Sequence, residues 1–221
     1  YYHEGDLEAF VASLMDGLSR DRIELDMISA NGPSFSCFDD RLLNLELVKT
    51  GLTDAIMFDR NGDITLANDE LYRKEILVAR GSYRPPTKVN LDLLKTGIEN
   101  FKKDTGAKDP LALCEITFHN LQTEGEIAKE DFLARVDLLA SINHRVLITN
   151  FPQYFKLTNY LSRFKPPHLA IVLGAYNFKQ IFDDDYNKLA GGILEALGKL
   201  FMENVRVYLY PYREELSTDE L

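Results

Sequence analysis

The 221-residue chain is poor in cysteine, has no apolar run of membrane-spanning length and carries no block of basic residues. Cys37 and Cys114 stand far apart, and neither belongs to a C-x-x-C or metal-spaced motif. That pattern excludes a disulfide framework and a zinc ribbon, and it predicts a reducing cytoplasm. A membrane helix needs about 20 consecutive apolar residues. No such stretch is present and no leader pattern is recognisable, so no membrane partner is expected. The four histidines, His3, His119, His144 and His168, are scattered without ligand spacing, and no metal is expected. No Ser-His-Asp order can be singled out. The formal charge is −10, from 25 Lys and Arg against 35 Asp and Glu spread along the chain. Phosphate contacts along a nucleic acid require a basic footprint, so nucleic acid is not an expected partner. A small phosphorylated ligand held by a few local basic groups remains compatible. The chain opens Tyr1-Tyr2-His3 without methionine and is expected to be part of a longer protein.

What the sequence does carry is alternation. Leu7, Phe10, Val11, Leu14 and Leu18 recur at helical spacing over Asp6 to Leu18. Ile23 to Ile28 alternates apolar with charged residues and predicts a half-exposed strand. A short helix is expected over Leu42 to Val48 and a strand over Leu52 to Phe58. The following Asp59-Arg60-Asn61-Gly62 faintly resembles the D-x-D loop of haloacid-dehalogenase-type phosphatases, with Asn61 where the second Asp would stand. Asn-Gly between apolar segments is a strong hairpin signal, which makes Asp59 a turn residue.

From Ile76 onward the order is regular. Strands are predicted at Ile76 to Ala79, Leu111 to Phe118, Arg145 to Thr149, Leu169 to Leu173 and Val205 to Leu209. Helices are predicted at Leu91 to Lys103, Ala128 to Ser141, Tyr154 to Phe164 and Gly192 to Met202. Short β-branched runs alternating with amphipathic helices imply an α/β fold with an open, doubly wound, mostly parallel sheet, Rossmann-like, carrying an N-terminal α/β extension and a hairpin. The expected organisation is an N-terminal segment over 1–75, a Rossmann-like domain over 76–212 and a flexible tail over 213–221, the whole also readable as one domain.

In such sheets ligands bind beyond the carboxyl ends of the strands. Residues expected on that edge are Arg80 to Arg84, Glu115 to Asn120 (with Glu115, His119 and Asn120 as candidates), Thr149-Asn150, Gly174 to Asn177 and Tyr210 to Arg213. Asn150 and Asn177 read equally well as caps of the helices that follow. Glu115 with His119 would make an acid/base pair, against a structural histidine as the alternative. Gly191-Gly192 at a helix start would admit a phosphate or serve close helix packing.

The most informative stretch runs Ala79-Arg80-Gly81-Ser82-Tyr83-Arg84-Pro85-Pro86-Thr87-Lys88-Val89-Asn90. It resembles the first motif of the nucleotidylyltransferase superfamily, G-[ST]-F-[DP]-P-x-[HT]-x-G-H, through Gly81, Ser82, Pro85 and Thr87, with Tyr83 for Phe. Arg84, Val89 and Asn90 stand where that family most often has Asp, Gly and His, and its I-S-S-T-x-x-R signature has no counterpart. Together with Glu115-Ile116-Thr117-Phe118-His119-Asn120-Leu121 and Gly191-Gly192-Ile193-Leu194-Glu195-Ala196, the stretch also resembles a bacterial family labelled nicotinate-nucleotide adenylyltransferase, as a C-terminal part of it. The resemblance implies a nucleotide site, NAD biosynthesis, and ATP with magnesium as co-substrate. Arg80, Gly81, Ser82, Arg84, Thr87, Lys88 and Asn90 are then the phosphate-binding candidates. The residues themselves leave open a second reading, a non-catalytic ligand-binding or assembly domain, and do not fix the oligomeric state.

Overall fold

The computed structural model describes residues 6–15, 17–19, 22–35, 39–122, 127–183, 188–202 and 204–211. His3, Cys37 and the tail 213–221 lie outside them. Seven strands form one sheet among these residues: β1 (Ala55–Phe58), β2 (Ile64–Thr65), β3 (Ile76–Arg80), β4 (Leu111–Thr117), β5 (Arg145–Thr149), β6 (Leu169–Gly174) and β7 (Arg206–Tyr210). Their spatial order is β2-β1-β5-β4-β3-β6-β7. The strands from β3 to β7 pair in parallel, with Val78 opposite both Leu113 and Ile171, while β1 joins the outer side of β5 antiparallel. Residues 76–79, 146–149 and 169–173 are buried without interruption, which is why they read as continuous aliphatic runs rather than alternating ones.

The helices are α1 (Leu7–Ser13), α2 (Asp40–Lys49), α3 (Ala67–Leu71), α4 (Lys88–Thr105), α5 (Phe118–Leu121), α6 (Lys129–Ser141), α7 (Tyr154–Ser162), α8 (Ala175–Ile181) and α9 (Gly192–Phe201). Leu94 and Phe101 of α4 and Phe132, Val136 and Leu139 of α6 pack on one face of the sheet, with Leu45 and Val48 of α2. Leu157 and Leu161 of α7, Ile181 of α8, and Ala196 and Leu200 of α9 pack on the other. Helices on both faces of an open, mostly parallel sheet make the fold Rossmann-like. The parallel strands, numbered along the chain, lie third-second-first-fourth-fifth. The direction of winding therefore reverses between β3 and β6. There α4 lies close over the sheet, because a Cβ on Gly97 would come within 3.1 Å of the Val172 side chain on β6.

The expected hairpin forms with Met57 opposite Thr65 and Phe58 opposite Ile64. Asp59 fastens its five-residue loop: one carboxylate oxygen accepts from the backbone N–H of Asn61 (2.8 Å) and Asp63 (3.0 Å), and the other from the Asn61 amide. Asp59 is thus a turn residue.

The strand expected over Ile23 to Ile28 does not form. The segment is extended but joins no ladder. The buried Asn44 side chain takes the place of a neighbouring strand, accepting from Ile28 N (2.9 Å) and donating to Ile28 O (2.7 Å). Leu25 and Ile28 pack against Val11, Leu43 and Leu47, while Ile23 stays exposed, so the alternation of apolar and charged residues does not mark a strand face here. The first strand also starts at Ala55 rather than Leu52. The short helices α3, α5 and α8 fall in stretches where no helix is expected from the sequence.

Candidate functional site

β3 ends at Arg80, and the chain then crosses the carboxyl edge of the sheet to the start of α4. Gly81 N donates to Glu115 O at 3.0 Å, carrying the β3–β4 pairing one step further. Tyr83 folds back beneath the loop with φ +47°, buried, its hydroxyl donating to Ala79 O at 2.9 Å. Its ring lies so close to Gly81 that a Cβ there would stand 3.1 Å from it, which explains the glycine at this position. Burial holds the Tyr83 phenol far above its ordinary range and pushes the adjoining Cys114 thiol up to about 12, so both stay neutral.

Helix α4 begins three residues earlier than its apolar periodicity predicts, because Thr87 and Asn90 form a capping box. Thr87 Oγ1 accepts from Asn90 N at 3.2 Å, and Asn90 Oδ1 accepts from Thr87 N at 2.8 Å. Asn90 stands where the resembling family has its histidine, and here its side-chain oxygen is committed to capping the start of the helix. The first turn of α4 holds no acidic residue and carries the exposed Lys88, so nothing there offsets the positive end of the helix dipole.

Arg80, Arg84 and Lys88 are not gathered around one point. Arg80 turns inward: its Nε pairs with Glu115 at 2.5 Å, its Nη atoms donate to the Phe151 and Pro152 carbonyls (2.6 and 2.5 Å), and its guanidinium lies 4.5 Å from the centre of the Tyr154 ring. Glu115 is fully buried and also accepts from Thr149 Oγ1 at 2.5 Å. This cluster ties together the ends of β3, β4 and β5. Arg84 is about half exposed, with Nε 3.3 Å from Asp131. Ser82 is exposed, and its carbonyl accepts from Arg135 at 3.0 Å.

Arg135 is the residue that sequence reasoning missed. It is almost fully buried in α6, pairs with Asp131, and donates to Ser82 O and to Asn120 O (2.8 Å), so it fastens the Gly81 loop to the end of α5. Asp131 and Arg135 at i,i+4 look in the sequence like an ordinary surface pair.

The remaining candidates lie apart from this loop. Both Glu115 oxygens are engaged by Arg80 and Thr149, while His119 is exposed on α5, so the two do not form an acid/base pair. Asn150 and Asn177 do not cap helices. The N-cap of α7 is Gln153, that of α8 is Gly174, and Asn177 sits inside α8. At Gly191-Gly192 the protein supplies its own anion, since Glu195 reaches back to accept from Gly191 N at 2.9 Å. Arg213 lies outside the described residues. Among those described, no three His, Cys, Asp or Glu side chains are placed to hold a metal ion, and no helix is long and apolar enough to cross a membrane.

Comparison with known proteins adds no relative: no family model matches the chain, and no curated protein does.

Proposed function

We propose that the loop from Gly81 to Asn90 is the binding site of a phosphorylated ligand of the nucleotide class, in a domain akin to the nicotinate-mononucleotide adenylyltransferases. The observation that carries this reading is topological. The loop and the N-terminus of α4 stand at the carboxyl end of β3, beside β6, where the winding of the sheet reverses and where open α/β sheets receive ligands. A helix start with no acidic residue, Lys88 in its first turn and the half-exposed Arg84 nearby favour an anion there. A role in NAD biosynthesis in the bacterial cytoplasm is the finer form of the same reading.

A second reading, a non-catalytic ligand-binding or assembly domain of a larger bacterial protein, draws support from two observations. Asn90 replaces the charged donor and is occupied as a cap, and Arg80 is committed to Glu115. Leu194, Met202 and Leu209 are 79%, 73% and 49% exposed on and beside α9 and β7, apolar surface suited to assembly.

Thermal unfolding with ATP, nicotinate mononucleotide, nicotinamide mononucleotide, NAD and inorganic phosphate tests the proposal. A ligand at a hundred times its Kd stabilises by about 2.7 kcal/mol, which for a chain of this size raises Tm by about 5–11 °C. Arg84→Ala and Lys88→Ala should reduce the shift, the more so at low salt. No shift with any of the five at millimolar concentration refutes the site.

A further inference from the structure

A cavity of about 390 Å³ lies on the sheet beside β1 and shares no residue with the Gly81 loop. Its size is that of a small-molecule site. It is lined by Thr53 and residues of β1, by Asp69 of α3, and by Tyr160 and Arg163 at the end of α7. Glu24 and Asp26 reach it from the extended segment that Asn44 holds in place. The charged residues of that alternating stretch therefore face the cavity, while Leu25 and Ile28 face the core formed by α1 and α2.

Tyr160 distinguishes this cavity from an acidic patch. The residue is 9% exposed, and its ring is packed against Phe151 and Phe164, each with centroids 5.3 Å away. Its hydroxyl makes no hydrogen bond among the described residues, although Tyr160 lines the cavity. That hydroxyl is accessible from the cavity rather than sealed in the core. Asp26 and Asp69 line the cavity together with the guanidinium of Arg163, and neither Asp26 nor Asp69 is engaged in an ion pair among the described residues. Burial first, and then the charges of Asp26 and Glu24, hold the Tyr160 phenol protonated. The ring already accommodates one guanidinium, that of Arg163 at 5.9 Å from its centre.

We propose that this cavity binds a small organic cation of the amine or guanidine class, with its N–H groups directed to Asp26, Asp69 and the Tyr160 hydroxyl. Oxygen acceptors on several sides of a space this size suit a short diamine or an aminoalkyl guanidine. A phosphate or carboxylate would meet like charge there.

Calorimetric titration of the intact chain with putrescine and with agmatine tests the proposal, with succinate as a control of similar length and opposite charge. At least one of the two amines should bind and succinate should not. Tyr160→Phe removes only the hydroxyl and should weaken binding by about five- to tenfold, and Asp26→Asn by about tenfold. Far-UV circular dichroism and the urea midpoint of each variant establish that it folds. The proposal is overturned by absence of heat with both amines at about 5 mM, a bound-state energy too weak to matter, or by succinate binding as tightly. Unchanged affinity in Tyr160→Phe would also overturn it, since that marks diffuse surface charge rather than a built site.

Discussion

Replacing Glu115 by Gln removes the one negative charge buried against Arg80 while preserving the shape of the side chain. Glu115 is fully buried, and the Arg80 side chain is 8% exposed, so water cannot take over the lost interaction. Breaking such a pair from one side costs about 3–5 kcal/mol. Here the lower end applies, because Arg80 keeps the Phe151 and Pro152 carbonyls and the face of Tyr154. A loss of about 3 kcal/mol corresponds to a fall in Tm of about 6–12 °C for a chain of this length. The chain contains no tryptophan, so urea unfolding is followed by far-UV circular dichroism. The double replacement Arg80→Met with Glu115→Leu removes both charges and should recover part of the loss, the remainder being the Thr149 hydroxyl and the Phe151 and Pro152 carbonyls that lose these partners. A Glu115→Gln penalty under about 1 kcal/mol would show that the pair is solvated. A double variant as unstable as the single one would refute the reasoning about the uncompensated charge.

Gly81→Ala drives a methyl group towards the Tyr83 ring and should cost about 1–3 kcal/mol by urea unfolding, whereas Tyr83→Ala together with Gly81→Ala should show no additional clash. At Asp39, the hydrogen bonds from Arg41 hold the carboxyl below its ordinary range. A depressed folded pKa contributes stability that is present above the unfolded value, near 4, and lost as pH falls through the folded value. The stability difference between wild type and Asp39→Asn should therefore be constant at neutral pH and shrink on acidification below about pH 4. A difference that grows on acidification would contradict the assignment.

The five parallel strands were legible because each is a run buried on both faces, and the hairpin because Asn-Gly marks its turn. Ile23 to Ile28 misled because alternation of apolar and charged residues does not require a ladder; the backbone of that segment is held at Ile28 by a single asparagine side chain in α2. The short helices α3 and α5 span five residues or fewer, too little for helical periodicity to register. At the candidate site the limit was different. Arg80, Arg84 and Lys88 appear in the sequence as three neighbouring charges, but the pleat of β3 sends Arg80 across to a glutamate 35 positions away. Thr87 and Asn90 carried a visible capping spacing, which a reading aligned to a catalytic motif passed over. Arg135 gave no signal, because an i,i+4 pair with Asp131 looks the same in the sequence whether it faces solvent or fastens a loop.

The contact between Gly97 and Val172 also fixes a dimension. The start of α4 and the end of β6 flank the proposed site at the carboxyl edge of the sheet. Their separation is gauged by the absence of one methyl group midway along the helix. With backbone already against the valine side chain, the helix has no room to move inward. A tighter fit around a smaller ligand would have to come from the loop before Thr87. Enlarging residue 97 would lift α4 and widen the crevice without altering any group inside it. If the Gly81 loop binds its ligand as proposed, position 97 would set the width of that site from a place no ligand touches.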